Sequence, residues 1–291
     1  MYKIVWLDVD GTLRDESLGI PETALRAITH LRKQNCLVML CTGRMKSCIT
    51  DDVLALPVDG IIAGGGCYLE YKGNIIENTF FPSAVGIKAL TYLSTLEESA
   101  GAALETDSGV YMNETAVRIL KKQNNKKRIP IPPMNMEFLE KAPEKIQYRN
   151  NLRELMEKSI QGQHINISKI CLWSSHEIFA ALKTILDSTD EHVFCLAQME
   201  TEPEAGGYYE IVQHGYDKGS AVKKMCSFLG LSPEHTIAFG DSGNDISMFK
   251  AVKTGIAMGN GCSHLKEVSD SVCEPLLENG LYKELKRRKL I

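Results

Sequence analysis

The sequence predicts an α/β protein, a parallel sheet with helices on both faces, interrupted by a second domain of mixed α+β character. Three observations predict it. Short, wholly apolar runs (Ile4-Val5-Trp6-Leu7, Leu37-Val38-Met39-Leu40-Cys41 and Ile61-Ile62-Ala63) read as strands buried on both faces. Helical patterns separate these runs, so the strands are joined by crossovers. The rhythm breaks after Pro82 and resumes near residue 214.

In chain order, strand 4–7 runs into Asp8-Val9-Asp10-Gly11-Thr12-Leu13, and a helix is predicted over 21–34, where Ala24, Leu25, Ile28 and Leu31 recur three and four apart. Strand 37–41 ends at Thr42-Gly43-Arg44, a helix is expected over 45–55, and strand 61–63 enters Gly64-Gly65-Gly66. A hairpin fits 68–71 and 74–78 around Lys72-Gly73. The β-α-β-α-β order implies parallel strands with right-handed crossovers.

From 83 to 213 the pattern is α+β: a helix over 84–99, strands near 102–105 and 109–113, a basic, Pro-rich stretch over 121–133, a helix over 148–160, and strands near 168–173, 193–199 and 207–212. This divides the chain into a core of 1–82 with 214–291 and an inserted domain of 83–213. The parallel rhythm then returns with helix 218–229, strand 236–239, helix 244–252, strand 254–258 and helix 263–268, followed by a basic helix over 281–291 whose cations suit a helix carboxyl terminus.

Composition excludes several classes. The 291 residues suffice for one large domain or two, and 44% apolar with 24% charged residues is ordinary globular usage. A net charge of -4 gives no global attraction to nucleic acid or to an anionic membrane. The nine cysteines form no Cys-x-x-Cys pair and no Cys/His cluster, so neither a zinc site nor a redox pair is indicated. With no secretory leader, reduced thiols and a cytoplasmic location are expected. No apolar stretch approaches the roughly 18 residues of a membrane span. Nothing in the sequence decides between monomer and homo-oligomer.

The chemistry gathers where buried strands end, which is where open α/β sheets bind ligands. Asp8 and Asp10, one residue apart and followed by a Gly that permits a sharp turn, are costly to cluster unless they share a proton or a cation. Taken alone, the same residues read equally as a turn whose acids face water. Lys218 opens a helix, where it can neutralise a phosphate, although a lone Lys is more often a solvated one. Asp241 and Asp245 after strand 236–239 fit a helix cap and a first-turn acid. Four carboxylates at one sheet edge, however, demand a hard cation such as Mg²⁺.

The ordered set Asp8-x-Asp10-Gly11-Thr12, Thr42-Gly43-Arg44, Lys218-Gly219 and Gly240-Asp241-x-x-Asn244-Asp245 resembles the haloacid dehalogenase-like hydrolase superfamily, in its Cof-type, sugar-phosphatase-like branch. The resemblance runs from residue 3 to about residue 280. It implies a Rossmann-like core, an α+β cap that selects substrate, and a Mg²⁺-dependent phosphatase acting on a small phosphorylated metabolite (a sugar phosphate, nucleotide or phosphorylated cofactor). Asp8 would be the nucleophile that forms an aspartyl-phosphate, ionised at its ordinary pKa of about 3.9. Asp10 would protonate the leaving oxygen and then deprotonate the attacking water.

The metal set implied is Asp8, Asp10 through its backbone carbonyl, Asp241, and Asp245 as an outer support. Thr42, the Gly43 N–H and Lys218 would hold phosphoryl oxygens, with Val9 and Asn244 also at the phosphate or substrate and Asn244 orienting Lys218 or the phosphate. Arg44 completes a pattern with a structural role. Cys41, next to Thr42, reads as a buried strand residue.

One departure concerns Gly65, which stands where many Cof-type members carry Asn and so removes a side-chain hydrogen bond near the substrate. In the insertion, Tyr111, Asn113, the stretch 202–209 and the basic run Lys121, Lys122, Lys126, Lys127 and Arg128 are candidates to meet substrate, each equally explained as ordinary surface. A phosphomutase that returns the phosphoryl group to a sugar, and a sensor that keeps the fold without the activity, remain as alternatives.

Overall fold

The computed structural model describes residues 2–96, 98–126, 152–187, 195–199 and 207–291. The chain divides into two units, one of Met1–Arg44, Ile49–Asn78 and Tyr216–Ile291, the other of Met45–Cys48 and Thr79–Gly215.

The first unit begins with β1 (Ile4–Leu7), α1 (Glu22–Lys33), β2 (Leu37–Cys41), α2 (Asp51–Leu54), β3 (Gly60–Ala63), β4 (Tyr68–Tyr71) and β5 (Asn74–Asn78). The second holds α3 (Ser83–Ser94), β6 (Gly101–Thr106), β7 (Gly109–Met112), α4 (Glu114–Lys126), α5 (Leu152–Ile160), β8 (Ile167–Ser174), α6 (His176–Asp187), β9 (Cys195–Met199) and β10 (Gly207–Val212). The first then resumes with α7 (Lys218–Phe228), β11 (Thr236–Gly240), α8 (Ile246–Ala251), β12 (Thr254–Ala257), α9 (Ser263–Val268), β13 (Ser271–Val272) and α10 (Gly280–Arg287).

The first unit's sheet has the order β13-β12-β11-β1-β2-β3-β4-β5, parallel from β13 to β3 and antiparallel at the β3–β4–β5 edge. Strand residues alternate between two buried layers, which is why the runs are apolar throughout. Val5, Leu7, Val38, Leu40, Ile237 and Phe239 pack with Ala24, Ala27, Ile28 and Leu31 of α1 and Leu281 and Leu285 of α10. Ile4, Trp6, Met39, Cys41 and Ala238 face the other way onto Ala221, Val222 and Met225 of α7 and Met248 and Phe249 of α8. Each buried Val, Leu, Ile, Phe or Met among them contributes about 1.5–3 kcal/mol relative to exposure. The predicted hairpin forms with Lys72 and Gly73 both at positive φ (49° and 79°), the turn whose twist matches its strands.

The second unit's sheet, β7-β6-β8-β10-β9, is antiparallel throughout. Ala102, Leu104, Ile170, Leu172, Tyr209 and Ile211 line one face and pack against α3, α5 and α6 through residues such as Val85, Leu90, Leu155, Phe179 and Leu182. Phe179 stacks on Tyr209 with ring centroids 4.1 Å apart.

The structure corrects several elements. The helix expected over 45–55 is a 3₁₀ turn, Lys46–Cys48, and the short α2. Met45 and Ser47 belong to the second unit, where the Met45 N–H donates to the Glu105 carboxylate (3.3 Å) and Ser47 Oγ to the Thr106 carbonyl (3.1 Å), so the backbone turns early. The helix expected from 244 starts at Ile246, because Ser242 and Asp245 form a reciprocal cap on a 3₁₀ turn, Gly243–Asp245. Leu25 faces solvent, unlike its three companions on α1.

Two helices escaped the sequence reading, α4 and α6. Asn113 caps the first, its Oδ1 accepting the Ala116 N–H (2.9 Å), and Ser175 Oγ accepts the Ile178 N–H (3.4 Å) at the second. Lys121, Lys122 and Lys126 lie in α4, whereas Lys127, Arg128, the rest of the Pro-rich stretch, 148–151, 193–194 and 202–206 lie outside the described residues. No helix among the described residues is long and apolar enough to cross a membrane.

Candidate active site

Strands β1 and β11 run side by side with Leu7 opposite Phe239, so Asp8, which follows β1, and Asp241, which follows Gly240 at the end of β11, leave the sheet together. Lys218, the first residue of α7, reaches the same place. Asp217 caps this helix, accepting the Ser220 N–H (2.7 Å) while its own N–H donates to Ser220 Oγ (3.0 Å), and that cap fixes where the lysine enters. Lys218 Nζ donates to Asp8 Oδ1 and to Asp245 Oδ1, each at 2.6 Å, and all three side chains are buried.

Asp245 is saturated. Beyond Lys218, its Oδ2 accepts the backbone N–H groups of Asp241 (3.0 Å) and Ser242 (3.1 Å) and so shapes the turn that carries Asp241. Asp241 accepts from Thr12 Oγ1 (3.3 Å). It also presses on Gly11: at φ +77° a Cβ there would lie 2.2 Å from Asp241 Oδ2, so the Asp-x-Asp-Gly motif needs its glycine both for backbone shape and for space. One oxygen from each of Asp8, Asp241 and Asp245 lies within 4.8 Å of the others, a group able to hold a metal ion.

This crowding moves the acids. Burial pushes Asp8 well above the usual carboxylate range, opposed by Lys218 and reinforced by Asp245 and Asp241. Asp241 is pushed up to about 7 by burial and by Asp245. The expectation that Asp8 keeps an ordinary pKa is therefore corrected, because the sequence does not show its desolvation. Lys218 is held firmly cationic, burial being outweighed by Asp245 and Asp8. Burial also raises the Cys41 thiol far out of reach of ionisation, in keeping with a strand residue.

Asp10 stands apart from the metal group. Its carboxylate accepts from Arg44 Nε (2.6 Å) and a terminal Arg44 nitrogen (2.5 Å), a two-point pair with a guanidinium only 2% exposed. Thr42 is buried at the end of β2, with its Oγ1 accepting the Arg44 N–H (3.1 Å) across Gly43. Val9 points into the core, and its carbonyl accepts the N–H groups of Leu13 and Arg14 (2.9 Å each). Asn244 is exposed and accepts from Ser242 Oγ (2.9 Å) through Oδ1, while Lys218 is held by the two aspartates. Gly64, Gly65 and Gly66 all take positive φ (59°, 65° and 123°), and a Cβ on Gly65 would meet open space.

A model of the haloacid dehalogenase-like hydrolase family matches residues 5–285. The chain belongs to that family. Among relatives of this hydrolase, the putative phosphatase YkrA of Bacillus subtilis is 22% identical over 289 residues, covering 99% of this chain and 98% of that one. The pyridoxal phosphate phosphatase YbhA of Escherichia coli is 27% identical over 270 residues, covering 91% and 90%. In structure the hydrolase is similar in fold to the subclass IIB sugar phosphatase BT4131, with a TM-score of 0.72 at 20% identity over 99% of this chain and 100% of that one.

In the second unit, two of the sequence candidates are structural. Tyr111 is buried in the helix-facing core, and Asn113 bonds the backbone of Ala100, Ala102 and Ala116. The hydrolase also carries a buried polar group there that the sequence did not signal: Lys169 Nζ lies 2.8 Å from Glu105 and 3.2 Å from Glu210, and the Tyr208 hydroxyl donates to Glu210 at 2.8 Å. These residues are scattered over three strands and converge only through sheet register.

Proposed function

We propose that this phosphoric monoester hydrolase uses Mg²⁺ to cleave a small phosphorylated metabolite through an aspartyl-phosphate on Asp8, with the second unit acting as the cap that selects the substrate. The observation that carries the reading is the meeting of Asp8, Asp241, Asp245 and Lys218 at the carboxyl ends of β1 and β11 in a chain of this family. Relatives named for pyridoxal phosphate and sugar phosphates support the substrate class.

The residues fit the metal. The donor set is all carboxylate oxygen, which suits a hard divalent cation, and two buried acids, Asp8 and Asp245, together with the half-buried Asp241 surround one ammonium, leaving negative charge that a cation would offset. Asp8 and Asp241, with the Asp10 carbonyl, would hold it. Asp245, with both oxygens engaged, fits as a support. When bound, Mg²⁺ supplies charge that lets an anionic nucleophile approach a phosphate and stabilises the phosphoryl oxygens.

Asp8 attacks phosphorus as the ester P–O bond breaks, and the leaving oxygen takes a proton from Asp10. Water then attacks the aspartyl-phosphate, gives its proton to Asp10, and releases inorganic phosphate with Asp8 restored. Lys218, Thr42 and the Gly43 N–H hold the phosphoryl oxygens as charge redistributes, and the Val9 N–H is the part of that residue free to join them. The two-point pair with Arg44 holds the Asp10 carboxylate in place, so Arg44 sets the resting position of the acid.

The test is phosphate release from p-nitrophenyl phosphate with and without Mg²⁺, followed by a panel of sugar phosphates, nucleotides and pyridoxal phosphate ranked by kcat/KM. Release that needs Mg²⁺ and vanishes in Asp8→Asn supports the proposal. Metal-independent release, or isomerisation without release, overturns it.

A further inference from the structure

Asn260 follows β12, in the turn Gly259-Asn260-Gly261-Cys262, and belongs to none of the four acidic and phosphate motifs. Its side chain is exposed, yet both ends are committed. Nδ2 donates to the carbonyl of Gly11 at 2.8 Å, and Oδ1 accepts the N–H of Leu276 at 2.8 Å. Gly11 directly follows Asp10, so Asn260 ties the loop that carries Asp8 and Asp10 to the segment after β13.

The same turn grips the other acid-bearing loop. The Cys262 N–H donates to the Asp241 carbonyl at 2.8 Å. Gly261 passes so close that a Cβ there would lie 2.8 Å from that carbonyl and 3.0 Å from the Asp241 Cα. The turn is itself anchored by Gly261 N–H to the Met258 carbonyl (2.8 Å) and by Lys266 Nζ to the Gly259 carbonyl (2.7 Å). One four-residue turn therefore holds Gly11 with a side chain and Asp241 with its backbone.

We infer that Asn260 is a positioning residue for the metal group, setting the Asp8–Gly11 loop at its working distance from Asp241. This rests on the reading of Asp8 and Asp241 as Mg²⁺ ligands. Asn260 touches neither carboxylate. It acts through the Gly11 carbonyl, and without that bond the loop keeps Leu13 and Arg14 N–H to the Val9 carbonyl but loses its tie to the Gly259–Cys262 turn, leaving the longer Thr12 Oγ1 bond (3.3 Å) as its direct contact with Asp241. Partners that orient ligands in this way typically change metal affinity by about 10–100-fold when removed.

The experiment is calorimetric titration of Mg²⁺ into the full chain and into Asn260→Ala, with thermal unfolding of both in the presence of a chelator. The expected result is Mg²⁺ binding weakened about tenfold in the variant, an unchanged chelated Tm, and a smaller rise of Tm on adding Mg²⁺. In p-nitrophenyl phosphate turnover the loss is recovered at high Mg²⁺, which a damaged catalytic group would not allow. Equal Mg²⁺ affinity in the two proteins overturns the role of Asn260 and leaves the metal reading intact. A wild-type protein that takes up no Mg²⁺ overturns the metal reading itself, and with it this inference. Asn260→Ser, a smaller change at the same exposed position, decides the matter by the same criteria if the alanine variant does not fold.

Discussion

Among the described residues two lysines are buried, and each lies between two carboxylates: Lys218 between Asp8 and Asp245 in the first unit, Lys169 between Glu105 and Glu210 in the second. Their surroundings differ. Glu105 stands opposite Lys169 in the register of β6 and β8, and the remaining neighbours, Tyr208 and Cys171, are neutral because burial drives both upward. Around Lys218 the third neighbour is another acid, Asp241, and the group sits where parallel strands end. A buried cation with two acids is thus not in itself a mark of catalysis. An unmatched third acid at the strand ends is, because its repulsion persists in the fold unless something cationic or phosphoryl-bearing is meant to arrive.

The largest expected effect falls on the first group alone. Asp8→Asn removes the proposed nucleophile and is expected to lower phosphatase kcat by at least about 10³-fold, while the chelated Tm stays the same or rises, since one of three mutually repelling acids has been neutralised. Turnover within tenfold of wild type would remove the distinction between the two lysine groups.

Exchanging the lysines tests the comparison from both sides. Lys169→Met leaves Glu105 and Glu210 facing each other without their cation, and breaking a buried pair costs about 3–5 kcal/mol. Unfolding by denaturant is expected to show that loss. Lys218→Met is expected to show a smaller loss of stability, because of the two acids it unpairs Asp8 is a proposed Mg²⁺ ligand and Asp245 keeps the N–H groups of Asp241 and Ser242, together with a loss of turnover of about 10²–10³-fold if Lys218 holds the phosphoryl oxygens as proposed. Reversed ranks in denaturation and activity would show that the second unit's network carries the chemistry.

The surplus acid also has a pH signature. In metal-free protein the Asp241 carboxyl is raised to about 7, above its unfolded value of about 3.9. The folded state therefore binds more protons than the unfolded one between these values, and stability falls as pH rises from about 4 to about 7. Metal-free Tm is expected to be higher at pH 5 than at pH 8. Saturating Mg²⁺, which requires the deprotonated acid, should narrow or reverse that difference. A metal-free Tm that rises over this interval would contradict the burial and repulsion assigned to Asp241.

How much of this was legible follows from sequence locality. Asp8, Thr42, Lys218 and Asp241 each sit beside a strand end or helix start that the apolar pattern marks, so the first unit's strands and its acidic group could both be read. The Asp10–Arg44 pair spans 34 positions and emerges only when β1 and β2 lie side by side. Asp8's desolvation and the Lys169–Glu105–Glu210 contacts depend on tertiary burial and on strand register, which single residues do not announce. Helix α4 is hidden by its polar, basic composition, although Asn113 followed by Glu114 carries a usable start signal. Asn260, in a Gly-Asn-Gly turn at a strand's carboxyl end, carried the same positional cue as the four motifs but no charge to draw notice.

The smallest expected effect separates backbone from specificity at the three-glycine loop. Gly65 has φ +65° and ψ +15°, the left-handed region that Asn tolerates better than most residues, and a Cβ there meets nothing within 4 Å. Gly65→Asn should therefore fold with a change within about 0.5 kcal/mol, because the strain at positive φ is partly offset by a less flexible unfolded chain. Gly66→Ala is the contrasting case: at φ +123° its Cβ would lie 2.5 Å from the Asp217 carbonyl, which belongs to the capping residue of α7, so this variant should lose stability and displace Lys218. With the phosphate-handling residues untouched, Gly65→Asn is expected to leave kcat for p-nitrophenyl phosphate within about twofold and to reorder kcat/KM across the metabolite panel by up to about tenfold, the scale of one added or lost hydrogen bond of about 0.5–1.5 kcal/mol. A parallel drop for every substrate, including p-nitrophenyl phosphate, would instead place Gly65 with Asp8 and Lys218 in the chemistry common to all substrates.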